Sequence, residues 1–406
     1  MAQTLFAMVS QARSRFGDKP YTFKKTDSGW VYKTFNQSFD ESRQLAAFLL
    51  HRGYRAEDRI AIYAEGSPNW IVSEYGIIMA GMITVPLSFK LLPEEILYRL
   101  EHSEARMVIT NANHIEKICR VAKDIQEKSG TPIDILSIDE DVDISKLDYP
   151  QAQIFRIDQV LEQGKLLLAT YGKKLDEIAA ATSEDTVVSI SYRSGTTGNP
   201  KGIMLTHKNY YINSLDSVNI FQVPETKYRN FVILPVDHSF AQTVGIHASI
   251  QRGIQLWFVD SRGGGMAILR NIPQNMKEAE PVFMMTVPAL SGNFMKKIQS
   301  EIDRRGGIVK ILFDLGIQSG IRFWGDESKP PLRIGTFLNG LVYFPLKTLV
   351  LDKVRTEVFG KRARFFTGGG ASFDIGQQRF FRALGMPLYQ GYGMTEASTP
   401  NTRGTY

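Results

Sequence analysis

The sequence lacks the features that mark secreted, membrane-spanning and nucleic-acid-binding proteins. Its 406 residues include one cysteine, Cys119, so no intramolecular disulfide can form and a reducing, cytoplasmic compartment is expected. Cys119 falls in a helical pattern, which predicts a buried structural thiol. No apolar run reaches the ~18 residues of a spanning helix. The net charge of +6 is too small to indicate a nucleic-acid partner.

The longest apolar stretch, residues 334–351, is interrupted by Asn339, Pro345 and Lys347. We expect a buried helix here in preference to one at a membrane surface, and peripheral membrane association stays open. Basic residues become frequent in residues 353–364. This pattern favours a solvated helix face over attraction to anionic lipid or phosphate groups.

Helical and strand patterns alternate in the first half of the chain. Residues 39–50 predict an amphipathic helix, residues 59–63 a strand, and Ser67 the cap of the next helix. Strands that alternate with helices of this length predict an α/β fold with mainly parallel sheets covered on both faces. Residues 139–174 predict an irregular connection, and residues 292–364 are mostly helical in character.

The most informative segment is residues 191–207, which reads S-Y-R-S-G-T-T-G-N-P-K-G-I-M-L-T-H after a predicted strand. Glycines let successive backbone N–H groups turn toward one anion, and Lys201 adds a point charge suited to a polyphosphate. Three side chains add hydroxyl donors: Ser194, Thr196 and Thr197. Gly202 follows Lys201 and no G-K-[ST] occurs, which excludes a Walker A loop. A shorter match would predict only a surface hairpin.

This segment resembles the phosphate-binding signature of the acyl-adenylate-forming superfamily, which includes acyl-CoA synthetases, peptide-synthetase adenylation domains and luciferases. The resemblance implies that the ATP phosphates contact Ser194, Gly195, Thr196, Thr197, Gly198, Lys201 and Gly202. Arg193 departs from the pattern, because the family usually carries a small hydroxyl residue there. The departure leaves the loop intact and puts only local contacts in doubt.

A second match is residues 234–240, L-P-V-D-H-S-F, which resembles the family element L-P-x-x-H. The resemblance implies that His238 lies beside the substrate carboxylate or acyl chain. A lone histidine is more often structural, so this role depends on the surrounding motif. In some long-chain enzymes a tryptophan soon after the histidine gates the acyl tunnel. Residues 240–243 here read F-A-Q-T, so that gate is doubtful.

The third match joins T-G-G-G-A-S at residues 367–372 to Y-Q-G-Y-G-M-T-E at residues 389–396. The pair resembles the adenine-binding glycine turn and the Y-G-x-T-E motif, with Ser372 where the family usually has proline. The implied nucleotide-binding residues are Gly369, Gly370, Ala371, Gly391, Tyr392, Gly393 and Thr395. Tyr392 can stack on adenine, Thr395 can donate to the α-phosphate, and Glu396 can hold Mg²⁺.

The resemblance covers nearly the whole chain and implies its architecture. Thr286-Val287-Pro288 matches an element near the substrate pocket, and the segment from there to Gly368 resembles the insertion of long-chain fatty acyl-CoA synthetases. We expect an N-terminal AMP-binding domain of two αβα subdomains, residues 40–215 and residues 1–39 with 216–406. The C-terminal lid of the family, which carries a catalytic lysine, is not expected within these residues, so we expect little turnover by this chain alone.

The implied reaction is ATP-dependent activation of a fatty acid, with Lys201, His238, Thr395 and Glu396 as catalytic residues and coenzyme A as acceptor. One alternative is an acyl-AMP ligase or adenylation enzyme that loads a carrier protein. Another is a lid-less, non-catalytic module that binds an adenylate. The sequence leaves the acyl chain length and the oligomeric state open.

Overall fold

The computed structural model describes residues 2–193, 199–325, 333–395 and 402–404. Helices and strands alternate, which confirms the predicted α/β class with mainly parallel sheets. The helices are α1 Leu5–Phe16, α2 Phe35–His51, α3 Pro68–Met79, α4 Pro93–Ser103, α5 Ile115–Ser129, α6 Ile157–Ala181, α7 His207–Ile220, α8 Ala248–Arg252, α9 Gly264–Ala279, α10 Pro288–Arg305, α11 Gly307–Trp324, α12 Arg333–Leu346, α13 Asp352–Phe359 and α14 Ile375–Leu384.

The strands are β1 Pro20–Thr26, β2 Gly29–Thr34, β3 Arg59–Tyr63, β4 Ile83–Pro86, β5 Ala105–Thr110, β6 Asp134–Ser137, β7 Ile154–Arg156, β8 Val187–Arg193, β9 Lys201–Thr206, β10 Arg229–Val232, β11 Gln255–Phe258, β12 Phe283–Thr286, β13 Phe365–Gly368, β14 Leu388–Tyr392 and β15 Thr402–Gly404. Two further segments, Ala241–His247 and Lys347–Leu351, are π-helices.

The chain divides into two compact units. The first contains Met1–Lys227, Pro235–Ile268 and Thr395–Thr399. The second contains Tyr228–Leu234, Leu269–Met394 and Pro400–Tyr406. The subdomain boundaries predicted near residues 40 and 215 stay a prediction.

The first unit contains a seven-stranded sheet in the order β7-β6-β5-β3-β4-β8-β9. Its strands are parallel except for the antiparallel pair β8 and β9. Helices α4 and α5 cover one face with an apolar cluster that includes Ile96, Leu100 and Ile118. Cys119, 2% exposed, lies in this cluster, which confirms the predicted buried thiol. In the same unit β1 pairs with β2 antiparallel and with β11 parallel.

Several helices of the first unit begin where the sequence supplies a cap. The Ser67 side chain accepts a hydrogen bond from the backbone N–H of Trp70, and Pro68 stands at the first helical position. Helix α2 begins earlier than predicted, because Thr34 and Gln37 form a capping box. The predicted strand at residues 59–63 is confirmed as β3.

Helix α6 corrects one prediction. Residues 139–174 were expected to form an irregular connection, but 25 residues from Ile157 to Ala181 form a helix. Only four of its 25 residues are buried, so the apolar pattern with helical spacing is too weak to predict a helix from the sequence. Gly164 allows close contact with α2, because an added Cβ would lie 2.2 Å from the Gln44 carbonyl oxygen. Arg43 also donates to the Gly172 carbonyl at 2.8 Å.

The second unit contains five strands in the order β15-β14-β13-β12-β10. All neighbouring pairs are parallel except β14 and β15. Aromatic side chains form its core, with ring centroids 5 to 7 Å apart as favourable aromatic pairs require. They come from α10, α13, β13 and α14: Phe294, Phe359, Phe366 and Phe381.

Residues 292–364 are mainly helical, as predicted, but the apolar segment 334–351 is not buried as expected. Tyr343, Leu346 and Leu351 pack inward, whereas Phe337, Leu341 and other large side chains of α12 are exposed. Apolar composition alone does not show which sides of a helix are covered. Among the helices in the described part of the chain, none is both long and apolar enough to cross a membrane.

Candidate active site

The predicted phosphate loop joins the two strands of an antiparallel hairpin. β8 ends at Arg193 and β9 begins at Lys201, and these two residues are directly opposite each other in the strand register. Lys201 is exposed. Two cations therefore stand at the base of the loop, where an anion would offset their mutual repulsion. Ser194, Gly195, Thr196, Thr197 and Gly198 lie outside the described residues.

The predicted glycine turn lies at the carboxyl end of the parallel strands of the second unit. β13 pairs with β12 on one side and β14 on the other, and Gly368 is in register with Thr286 and Gln390. Two predicted nucleotide-binding segments and the Thr286-Val287-Pro288 element therefore end at the same sheet edge. Ligands of open α/β sheets bind outside the carboxyl ends of the strands.

Glycine is required at two positions of this turn for different reasons. A Cβ on Gly368 would lie 2.4 Å from the Phe373 ring and 2.9 Å from the Thr286 carbonyl oxygen. Gly370 adopts φ +83°, which a side chain would strain. Gly369 is buried, whereas Gly370 and Ala371 are exposed beyond it. The turn is closed by Phe373, whose backbone N–H donates to Gln390 Oε1 at 3.1 Å.

The Y-G-x-T-E segment begins within β14, which contains Gly391 and ends at Tyr392. Gly393 follows the strand, and Glu396 lies outside the described residues. Thr395, in the first unit, lies beside Ser239, with their hydroxyl oxygens 3.4 Å apart. The fold thus brings one end of this motif to the residue next to His238. Ser239, 1% exposed, was within the quoted motif but was not predicted as a functional residue.

His238 has a defined hydrogen-bonding state. Its Nδ1 accepts a hydrogen bond from the backbone N–H of Phe240 at 3.2 Å. Part of the imidazole is exposed, yet removal of the rest from water lowers its pKa. The neutral ring therefore carries its proton on Nε2, which makes Nε2 a hydrogen-bond donor. Burial also raises the pKa of the adjacent Asp237 to about 6.

A family model described as AMP-binding enzyme matches residues 9–404. The chain belongs to this family. The adenylate-forming resemblance drawn from the three motifs is thereby confirmed, and the individual residue roles stay predictions.

Curated relatives of this AMP-binding enzyme include long-chain-fatty-acid–CoA ligase ACSBG1 of Rattus norvegicus, 26% identical, with 98% of this chain and 53% of the relative aligned. Long-chain-fatty-acid–[acyl-carrier-protein] ligase AEE15 of Arabidopsis thaliana is 25% identical, with 90% of this chain and 52% of the relative aligned. The chain spans about half the length of the curated relatives it matches.

The N-terminal domain of FACL13 from Mycobacterium tuberculosis has a similar fold, with a TM-score of 0.67 at 20% identity. The match covers 99% of this chain and 78% of that domain. The fold of this AMP-binding enzyme is therefore like that of an N-terminal adenylate-forming domain, as predicted.

The π-helix Ala241–His247 begins three residues after His238 in this AMP-binding enzyme. The backbone N–H of Gln242 donates to the His238 carbonyl at 3.1 Å, and the Tyr210 hydroxyl donates to Gln242 Oε1 at 2.6 Å. Five residues further on, the Tyr75 hydroxyl lies 2.7 Å from His247 Nδ1. Helices α3 and α7 therefore hold both ends of the π-helix, and π-helical turns often occur at functional sites.

Glu74 lies in the same buried region as Tyr75 and Tyr210 and is only 2% exposed. Burial raises its pKa to about 8, so the carboxyl group is protonated at neutral pH. Among the described residues, Glu74 Oε2, Gln242 Nε2 and His247 Nε2 have no hydrogen-bond partner. Sequence reasoning missed this polar cluster, because its members are far apart in the chain.

No metal ligand set is formed by the described residues, in which no three His, Cys, Asp or Glu side chains cluster suitably. The predicted Mg²⁺ ligand, Glu396, is outside that part of the chain.

The second unit also contains a groove of about 520 Å³ beside α10. Its floor is apolar and includes Leu290, Phe294 and Ile298, whereas Lys277 and Lys297 stand at its rim. Helix α10 starts at Pro288, the last residue of the Thr286-Val287-Pro288 element. A volume of this size is in the range of small-molecule sites.

Proposed function

We propose that the protein activates a fatty acid with ATP and then transfers the acyl group to coenzyme A. In the first step a carboxylate oxygen attacks the α-phosphorus of ATP, pyrophosphate leaves, and an acyl-adenylate forms. In the second step the coenzyme A thiol attacks the acyl carbon and AMP leaves. Family membership supports the first step, and the long-chain ligases among the relatives support the substrate and acceptor.

The observation that carries the proposal is the position of two nucleotide motifs at the carboxyl ends of parallel strands in the second unit, together with the hydroxyl contact between Ser239 and Thr395 in the first. Both reactants are anions, so the protein must neutralise charge and align them. Lys201, with Arg193 opposite, would neutralise phosphate charge at the hairpin. The backbone at Gly369 and Gly370 would approach adenine, and Thr395, beside Ser239, would donate to the α-phosphate.

His238 would act on the acid in this mechanism. Its neutral imidazole offers Nε2–H to a carboxylate oxygen, because Nδ1 is already engaged by the Phe240 N–H. Such a donor orients the attacking carboxylate without removing its negative charge. Within the second unit, the groove beside α10 has an apolar floor that suits an acyl chain.

The test is acid-dependent exchange of pyrophosphate into ATP by the natural full-length protein, with straight-chain acids from two to eighteen carbons. We expect exchange that increases with chain length, and thioester formation when coenzyme A is added. Absence of exchange with every acid, from folded protein, would overturn the proposal.

A second candidate is transfer to a carrier protein, which one relative supports by its name, an acyl-carrier-protein ligase. The same assay with a phosphopantetheinyl carrier protein distinguishes the two. Acyl transfer to the carrier with none to coenzyme A would replace our acceptor and leave the adenylation step unchanged.

A further inference from the structure

Helix α12 and the π-helix Lys347–Leu351 expose one side on which large apolar side chains predominate. Phe337 is 67% exposed, Leu341 58%, Leu349 60% and Phe344 50%. Leu338 is 57% exposed and Val342 40% exposed on the same segment. Within α12 these side chains recur at intervals of three or four residues, so successive helical turns place them next to one another. Residues 334–346 contain no charged side chain.

The opposite side of this segment is fixed to the protein. Tyr343, fully buried, donates its hydroxyl hydrogen to the Ala383 carbonyl at 2.9 Å. The Phe323 ring of α11 lies within about 3 Å of where a Cβ on Gly340 would be. Side-chain atoms of Leu346 and Leu351 lie 3.3 Å from where a Cβ on Gly316 of α11 would be. The exposed side is therefore held outward by a packed helix pair, and does not result from a loose segment.

Contiguous apolar surface of this extent indicates a contact surface, because single exposed apolar side chains are scattered on ordinary proteins. The charge of the residues around α12 indicates which kind of partner the surface binds. Residues 333–364 contain seven Lys and Arg against two Asp and Glu. Lys353 and Lys361 are exposed and make no ion pair with any described residue. An apolar helix side followed by uncompensated basic residues is the pattern of helices that bind anionic bilayers.

We propose that the exposed side of α12 and Lys347–Leu351 binds an anionic lipid bilayer. The 14 residues of α12 extend about 21 Å, shorter than the ~30 Å hydrocarbon core, so the helix lies along the interface with its apolar side among the acyl chains. Lys353 and Lys361 are the candidates to meet the lipid phosphates. This inference does not depend on the proposed reaction.

The experiment is flotation of the natural full-length protein with phosphatidylcholine vesicles, with or without phosphatidylserine. We expect stronger binding to the anionic vesicles, decreasing with added salt. The double variant Phe337→Glu, Leu341→Glu should bind about tenfold or more weakly, because each substitution removes a large apolar side chain from the contact. The thermal midpoint should change little, since both side chains are mostly exposed.

Leu166→Glu is the matched control, because Leu166 is 76% exposed on α6 of the first unit. It should bind as the wild type does. If the charged double variant unfolds, Phe337→Gln with Leu341→Gln tests the same surface without added charge. Equal binding by the folded variant and the wild type would overturn the proposal, as would no binding of the wild type to either vesicle. Dissociation of a dimer by the double variant, without lipid binding, would assign the surface to a second copy of the chain.

Discussion

The hydroxyl oxygens of Ser239 and Thr395 lie 3.4 Å apart, although 156 residues separate them in the chain. Thr395 is the predicted donor to the α-phosphate, and Ser239 is next to His238, the predicted contact of the substrate acid. The pair therefore links the element that would handle the acid to the element that would handle the nucleotide. Because Ser239 is 1% exposed, we expect it to act through Thr395, as a positioning residue.

Ser239→Ala should reduce kcat/KM for adenylation by the full-length protein about fivefold, since a net hydrogen bond contributes roughly 1 kcal/mol. When Thr395→Ala is already present, adding Ser239→Ala should reduce kcat/KM little further, because the hydroxyl that Ser239 contacts is already absent. Steady-state exchange kinetics of the two single variants and the double variant measure this coupling. Ser300→Ala, an exposed serine of α10, is the control. Additive losses would contradict the positioning role.

Glu74→Gln should stabilise the protein increasingly as pH rises. Burial raises the pKa of Glu74 to about 8, whereas its ordinary value is 4.5, so the folded state holds a proton that the unfolded state releases between these values. The wild type should lose stability as pH rises through this window, by up to about 1.4 kcal/mol per pH unit. The glutamine variant should lack this loss, so the two proteins should differ least near pH 4.5.

Chemical denaturation at pH 5, 6, 7 and 8 measures this difference. Glu127→Gln, an exposed carboxylate on α5, controls for the change in net charge. A constant difference between wild type and Glu74→Gln at all four pH values would show that Glu74 is ionised in the folded protein.

Gly164→Ala should destabilise the protein by about 1–3 kcal/mol, the usual cost of overpacking. Its Cβ would lie 2.2 Å from the Gln44 carbonyl oxygen, and a backbone atom of α2 cannot move aside cheaply. Gly172→Ala, on the same helix, is the matched control, since its nearest neighbour would be Arg43 Nη2 at 3.7 Å. Alanine there should stabilise by about 0.5–1 kcal/mol through higher helix propensity. Thermal unfolding of both variants checks the opposite signs.

Local sequence signals predicted most of the first unit and the identity of the family. Caps and alternating patterns located elements such as β3 and α3, because their signals lie within a few residues. Helix α6 was missed because few of its residues are buried, and its packing depends on a glycine whose partner is over a hundred residues away. The exposure of α12 was missed because apolar composition does not specify what covers each side.

The same distinction between local sequence signals and tertiary packing applies to the candidate site. Glycine and hydroxyl motifs identified its segments, because nucleotide binding needs particular residue types at short spacing. The Ser239–Thr395 contact and the polar region around Glu74 depend on tertiary packing, so no local pattern reveals them. His207, the last residue of the quoted phosphate motif, has a structural contact, since its Nδ1 accepts from the backbone N–H of Leu5 at 3.2 Å.

Cys119 gives the protein a single-site chemical reporter. It lies on α5 and is 2% exposed, and burial raises the pKa of its thiol to about 11, so a thiol reagent reaches it only when α5 separates from the sheet. Because the sequence contains no other cysteine, the labelling rate follows opening of the first unit alone. Ligands that bind and stabilise that unit would slow the labelling, which offers a way to detect them without measuring turnover.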